Sequence, residues 1–167
     1  MKLNIGCGDH YAEGWINLDL HDSGPRPDVV GSILELPFPD GSVDRVYCGH
    51  VLEHVPLEQM AAALAEVRRV LSDDGVLAVV GPDINLTRRH EPTLIDGVTH
   101  GGCRWPGDEH RWIASGGITL AYVTAAGFEA HLLPITDMPD EWPVVGRVEL
   151  WQFAILAKPK ECRWLAA

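Results

Sequence analysis

Positive charge is scarce in this chain: 13 Lys and Arg stand against 24 Asp and Glu, a formal net charge of −11. That deficit makes attraction to phosphate backbones and to anionic lipid unfavourable, so nucleic acid and membrane surfaces are disfavoured as partners. Long apolar runs are missing as well. None approaches the ~20 residues that cross a bilayer, and no basic segment leads into an apolar one, so neither an anchor nor a secretory leader is expected. Cysteine is sparse and unpaired in pattern: Cys7, Cys48, Cys103 and Cys162 contain no Cys-x-x-Cys, which argues against a disulfide frame or a cysteine-rich zinc site. There is no repeat and no low-complexity tract. These absences leave a cytoplasmic protein with reduced thiols as the expectation.

What is present fits one globular domain spanning residues 1–167, with enough of its 46% hydrophobic share to build a substantial core. Its organising stretch is Leu3-Asn4-Ile5-Gly6-Cys7-Gly8-Asp9, a short apolar strand running into Gly-x-Gly. Glycine permits a sharp exit from a strand and lets a ligand approach bare backbone. A second short strand, Trp15-Ile16-Asn17-Leu18-Asp19, ends in an acid, where a nucleoside's ribose hydroxyls need an acceptor. Between Gly8 and Trp15 there is less chain than a helical crossover requires. The missing helix amino terminus speaks against a pyrophosphate ligand, and the third glycine of a dinucleotide loop is lacking.

Further on, strand-like and helix-like runs alternate, which predicts an α/β sheet, mostly parallel. Asp28-Val29-Val30 and Val43 to Cys48 read as strands. Pro56 and Glu58 open a helix carrying Met60, Ala63, Leu64, Val67, Val70 and Leu71 at helical spacing, with Gly75 expected as its carboxyl-terminal cap. Val76 to Val80 reads as a central strand buried on both faces. From Pro82 to Trp112 the pattern dissolves into a long loop, expected to be a lid or binding segment. Ser115 caps a last helix, Gly127 stops it, and Phe128 to Ile135 and Val148 to Ala157 close the sheet. Trp15 and Trp151 are expected in the core.

Taken together, these segments resemble the class I S-adenosylmethionine-dependent methyltransferases, in particular small members linked to polysaccharide and other glycan biosynthesis. The resemblance rests on Leu3 to Gly8 with Gly14 to Asp19, on Leu36-Pro37-Phe38-Pro39-Asp40-Gly41-Ser42-Val43-Asp44, on His50-Val51-Leu52-Glu53-His54-Val55, on Arg68-Arg69-Val70-Leu71, and on the later His110-Arg111-Trp112 and Ala125-Ala126-Gly127-Phe128. It implies a Rossmann-like seven-stranded sheet with an antiparallel last strand and S-adenosylmethionine across the carboxyl ends of the first, second and fourth strands. Position by position it implies Gly6, Cys7 and Gly8 at the methionine part, Asp19 and Leu20 at the ribose, Ser32 and Ile33 at the adenine, and Gly49 and His50 beside the transferable methyl. The usual acid two residues before the first glycine is Asn4 here, and Ser32 stands at a position that often carries an acid. With Met1 almost at the first strand, helices that relatives place ahead of it are expected to be absent, leaving residues 83–112 and 136–147 as acceptor-side loops. A second copy of the chain closing an exposed first strand, a homodimer, belongs to the same expectation.

The activity this implies is methyl transfer (EC 2.1.1.-) to a small-molecule or carbohydrate acceptor, oxygen somewhat favoured over nitrogen. The acceptor is expected to touch His100, Trp105, His110, Trp112 or Trp142. A hydroxyl acceptor benefits from a base titrating near neutrality, and His110 and His100 are the candidates; a loop histidine fixed by a structural hydrogen bond is the plain alternative for each. No metal is called for. Two other classes stand against this reading: a cofactor-binding module or partner subunit without turnover, and a zinc peptidase using His50-x-x-Glu53-His54, which requires a long helix and a third ligand. A looser metal cluster of His100, Cys103 and His110 matches no standard zinc spacing.

Overall fold

The apolar runs become seven strands: β1 (Lys2–Ile5), β2 (Ile16–Asp19), β3 (Val29–Val30), β4 (Val43–Gly49), β5 (Leu71–Pro82), β6 (Phe128–Pro134) and β7 (Gln152–Pro159). In the computed structural model, which describes residues 1–22, 27–101, 108–144 and 149–160, they form one sheet in the order β3-β2-β1-β4-β5-β7-β6. The first five pair in parallel, and β7 runs antiparallel to both β5 and β6. This is the α/β sheet the alternating pattern implies. Leu77 to Val80 are buried in the middle of β5, as an unbroken apolar run on a central strand requires. Strand β1 lies between β2 and β4, so it is no open edge for a second copy to close; the edges are β3 and β6.

No helix separates β1 from β2. Two buried side-chain amides hold the short connection instead. Asn17 Oδ1 accepts from Asn4 Nδ2 at 2.9 Å and from the Ala12 amide at 2.8 Å, while Asn17 Nδ2 donates to the carbonyls of Ala12 and Trp15. Asn4, at the position where the resemblance implies an acid, is therefore part of the scaffold beneath the glycine turn: its Nδ2 also reaches the His10 carbonyl at 3.2 Å.

Helix α1 (Met60–Val70) buries Met60, Ala63, Leu64, Val67 and Val70 on one face of the sheet, the stripe that its spacing predicts. It ends earlier than expected. Leu71 is already extended and pairs with Val43, and the next pair is Arg45 with Val76. Residues 72–75 thus form an irregularity in β5, and Gly75 is no helix cap. A side chain at Gly75 would meet Leu71 Cγ at 2.6 Å and the Ser72 carbonyl at 2.9 Å, so close packing explains the glycine.

The segment after Pro82 is not structureless. It forms α2 (Ile84–His90), a 3₁₀ turn at Pro92–Leu94 and α3 (Ile95–His100). Asp83 starts it, its Oδ1 accepting from the amides of Asn85 and Leu86 and its Oδ2 from the amide of Gly116. Gly116 is the first residue of α4 (Gly116–Ala125), whose other cap is Ser115. One carboxylate so fixes the starts of two helices. Among the described residues no helix is long and apolar enough to cross a membrane.

Candidate functional site

Parallel strands point their carboxyl ends to one side, and loops leaving those ends build a crevice. Here the loops after β1, β2 and β4 open a cleft of about 640 Å³, within the range for a small-molecule site. Gly6, Cys7, Gly8, Asp19, Leu20, Ser32, Ile33, Gly49 and His50 all line it. The turn after β1 needs its glycines for two reasons. Gly6 and Gly8 have φ of 66° and 48°, and a Cβ on Gly6 would run into Val51 Cγ2. A Cβ on Gly8 would meet nothing within 4 Å, so there the backbone angle alone selects glycine. Asp19 ends β2 with its Oδ2 accepting from the Gly8 amide at 2.8 Å and its Oδ1 from the His21 amide at 3.0 Å. Each oxygen keeps a second lone pair for a ligand hydroxyl. Burial, with the charge of Asp19 added, pushes the Cys7 thiol up to about 11, so this cysteine is a neutral part of the wall.

Strand β4 delivers the second half of the site. Its exit places His50 at φ 55°, a left-handed conformation uncommon for a residue with a side chain. The ring is held on both nitrogens: Nε2 donates to Gln152 Oε1 at 3.0 Å, and Nδ1 lies 3.2 Å from Glu53 Oε1. Gln152 in turn donates to Glu149 Oε2 at 2.9 Å, which settles which end of its amide faces His50. Burial alone lowers the affinity of His50 for a proton, but the Glu53 carboxylate beside it outweighs that and raises its pKa. Glu53, fully enclosed, is opposed by the same burial and is nonetheless held below the usual carboxylate range by the His50 ring. The two act as one buried ion pair.

Across the cleft stand Asp108, His110, Arg111, Trp151 and Gln152. The Arg111 amide donates to the Glu53 carbonyl at 2.8 Å, and Trp112 Nε1 donates to the Leu52 carbonyl at 3.0 Å, tying this wall to the turn at Leu52–His54. Trp112 itself is buried and serves as an anchor. His110 is shifted toward the neutral form by burial, and its Nδ1 donates to the Val98 carbonyl at 2.6 Å.

Not every expected residue arrives here. His100 does not line the cleft: its Nδ1 lies against Thr99 Oγ1 and the Asp96 carbonyl of its own helix. Trp142 is buried beneath Arg45 and beside Trp15 on another part of the sheet. Trp105 and Cys103 lie outside the described residues. Trp151, expected in the core, instead lines the cleft 5.7 Å from the His50 ring. The peptidase arrangement does not form, because Leu52–His54 is a single 3₁₀ turn and His50 lies outside it with a positive φ. Sequence reasoning missed Gln152 and Glu149, which carry no motif.

The family model described as "Methyltransferase domain" matches residues 14–79. A protein of Mycolicibacterium smegmatis described as a "probable S-adenosylmethionine-dependent methyltransferase" is 36% identical over 98 residues, 48% of this chain and 37% of that protein. An uncharacterized protein of Methanocaldococcus jannaschii is 46% identical over 92 residues, 48% of this chain and 40% of its own length. Among solved structures, a SAM-dependent methyltransferase from Archaeoglobus fulgidus superposes with a TM-score of 0.61 at 17% identity, covering 93% of this chain and 84% of that one. Residues 14–79 are thus similar in sequence to a methyltransferase domain, and the sheet as a whole has the fold of S-adenosylmethionine-dependent methyltransferases.

The methyltransferase fold is matched over nearly the whole sheet, whereas this chain spans less than half the length of the curated relatives it matches. One similar methyltransferase structure, from Burkholderia thailandensis, was solved with 1,6-didemethyltoxoflavin and S-adenosylhomocysteine bound; it is 13% identical with a TM-score of 0.61 and is covered to 70% of its length.

Proposed function

We propose that the cleft binds S-adenosylmethionine along Gly6, Cys7, Gly8, Asp19, Leu20, Ser32, Ile33, Gly49 and His50, and transfers its methyl group to a small-molecule or carbohydrate acceptor held against His110, Arg111 and Trp151. The observation that carries this is the convergence of a positive-φ glycine turn and a strand-end acid with open lone pairs on one cleft. S-adenosylmethionine fits such a site: it has ribose hydroxyls to donate, a cationic centre suited to acidic surroundings, and no phosphate needing a helix amino terminus. When bound, it supplies a methyl carbon already activated by a positive sulfur.

The chain's own groups have to align an acceptor with that carbon and exclude water. Trp151 offers an apolar face beside His50, suited to a sugar ring or other flat surface. An oxygen acceptor has a place for its proton at His110, which burial keeps neutral, and this favours oxygen over nitrogen. From the two segments expected on the acceptor side, Asp108, His110, Arg111 and Pro143 line the cleft among the described residues; the single domain works in the cytoplasm, and the free, buried thiols of Cys7 and Cys48 suit a reducing compartment.

Calorimetric titration with S-adenosylmethionine and S-adenosylhomocysteine tests the reading. Micromolar or tighter binding is expected, weakened by about 2 kcal/mol, some thirtyfold, in Asp19→Ala, as for losing hydrogen bonds to a charged group. Absence of binding by the intact chain would overturn it.

A further inference from the structure

Two distant stretches bring three ligand-type side chains together at the acceptor end of the cleft. One donor atom each of Glu53, His54 and His110 lies within 4.8 Å of the other two, and all three residues line the cleft. Glu53 is only 2% exposed, and no donor reaches its Oε1 with hydrogen-bond geometry among the described residues, although His50 Nδ1 is 3.2 Å away. The His50 partner of this carboxylate is thus imperfectly aligned, which leaves the buried oxygen able to take a further positive partner.

The two imidazoles are set to supply the complementary half. His54 Nδ1 approaches the Glu109 carbonyl at 3.2 Å and His110 Nδ1 the Val98 carbonyl at 2.6 Å. A carbonyl can only accept, so in both rings Nδ1 carries the proton and Nε2 is left as a bare lone pair. The rings stand edge to face with centroids 4.9 Å apart. Backbone carbonyls on the distal nitrogens are how proteins orient imidazoles toward a metal.

We propose that Glu53, His54 and His110 bind one divalent first-row transition-metal ion, and that the acceptor is a hydroxyl compound whose oxygen takes one of the ion's open positions. This rests on the methyltransferase reading of the cleft. Two imidazole nitrogens and a carboxylate suit zinc, cobalt, manganese or iron, whereas magnesium and calcium favour all-oxygen sets. Three protein ligands are the number that leaves room for a substrate. Donors around a four-coordinate ion stand about 3.4 Å apart given ~2.1 Å bonds, so the side chains close by at most about 1.4 Å on loading. The ion lowers the pKa of the bound hydroxyl, whose proton passes to solvent; its oxygen then forms the bond to the methyl carbon as the carbon–sulfur bond breaks, the electron pair staying on sulfur. With the ion in place the His110 Nε2 is a ligand and His110 acts through the ion, so the direct proton transfer to His110 described above belongs to the metal-free chain alone.

The test is titration of the metal-free full chain with Co²⁺, followed by visible absorption and by displacement with Zn²⁺, with S-adenosylmethionine affinity measured on the same samples. One Co²⁺ per chain with ligand-field bands is expected, and His54→Ala, His110→Ala and the size-conserving Glu53→Gln should each weaken it at least tenfold. His110→Ala, at a residue that is not fully buried, should keep its circular dichroism spectrum and bind S-adenosylmethionine within about threefold of the parent. Absence of the bands, or bands unchanged in all three variants, overturns the proposal while leaving S-adenosylmethionine binding to stand. Bands lost in the variants of a chain that never binds S-adenosylmethionine would support the metal site and overturn the methyltransferase reading instead.

Discussion

The two sides of the cleft are built by opposite means. The floor, from Gly6 to His50, is made of strand ends and tight turns in which main-chain angles and main-chain hydrogen bonds do most of the placing: the amides of Gly6 and Cys7 both donate to the Leu18 carbonyl, and Gly8 to Asp19. The facing wall is assembled by contacts between segments far apart in the chain. Trp112 reaches Leu52 across 60 positions, His54 reaches Glu109 across 55, and His50 reaches Gln152 across 102. A floor set by local geometry demands particular residue types at fixed spacing, so it leaves a motif. A wall set by long-range packing can be made in many ways.

Substitutions at the two glycines of the floor break that contrast most sharply. Gly6→Ala combines an unfavourable left-handed backbone with a Cβ driven into Val51, and should cost about 3 kcal/mol of stability and abolish measurable S-adenosylmethionine binding. Gly8→Ala carries the backbone penalty without the collision and should cost about 1 kcal/mol. Urea unfolding of both variants measures the difference. Equal losses would show that the fit against Val51 contributes nothing.

The wall should respond differently. Asp83 accepts three main-chain hydrogen bonds at the starts of α2 and α4 and does not line the cleft. Asp83→Ala should therefore lower stability by about 2 kcal/mol through lost caps, while S-adenosylmethionine affinity stays within about threefold. A large loss of affinity at unchanged stability would mean that the two sides are coupled through the acceptor segment.

The same division decides how much can be read from the amino-acid order. The strands β1, β2, β4 and the core of β5, the helix α1, and the cofactor-side residues carry either an unbroken apolar run, a helical stripe or a glycine at a forced angle, and α4 is marked by Ser115 and Gly127 at its ends. Helices α2 and α3 carry none of these: at seven and six residues they are too short to show a period, and their stability comes from Asp83 and from packing. Gly75 misleads because a helix end and a crowded strand irregularity both ask for glycine. Gln152 and Trp151 are invisible because nothing in an apolar strand announces that its first residues meet a histidine from another strand.

The smallest expected effect lies beneath the floor, where Asp28 steadies the helix-free connection. Its carboxylate accepts from the Asn17 amide, from the Asn17 side chain and from the Tyr11 hydroxyl, and the main-chain donor first, then the other two, hold its pKa below the ordinary aspartate value. A group depressed in the folded state adds stability above its unfolded pKa of ~3.9 and loses it as pH falls through the folded value. Asp28→Asn should accordingly lower the urea midpoint slightly at pH 7, and the gap from the parent should shrink as pH falls below the ordinary aspartate range and through the depressed folded value, where the parent side chain becomes neutral as well. A gap that stays constant across that range would mean that the carboxylate's charge has no part in holding the connection, and that Asn4 and Asn17 suffice.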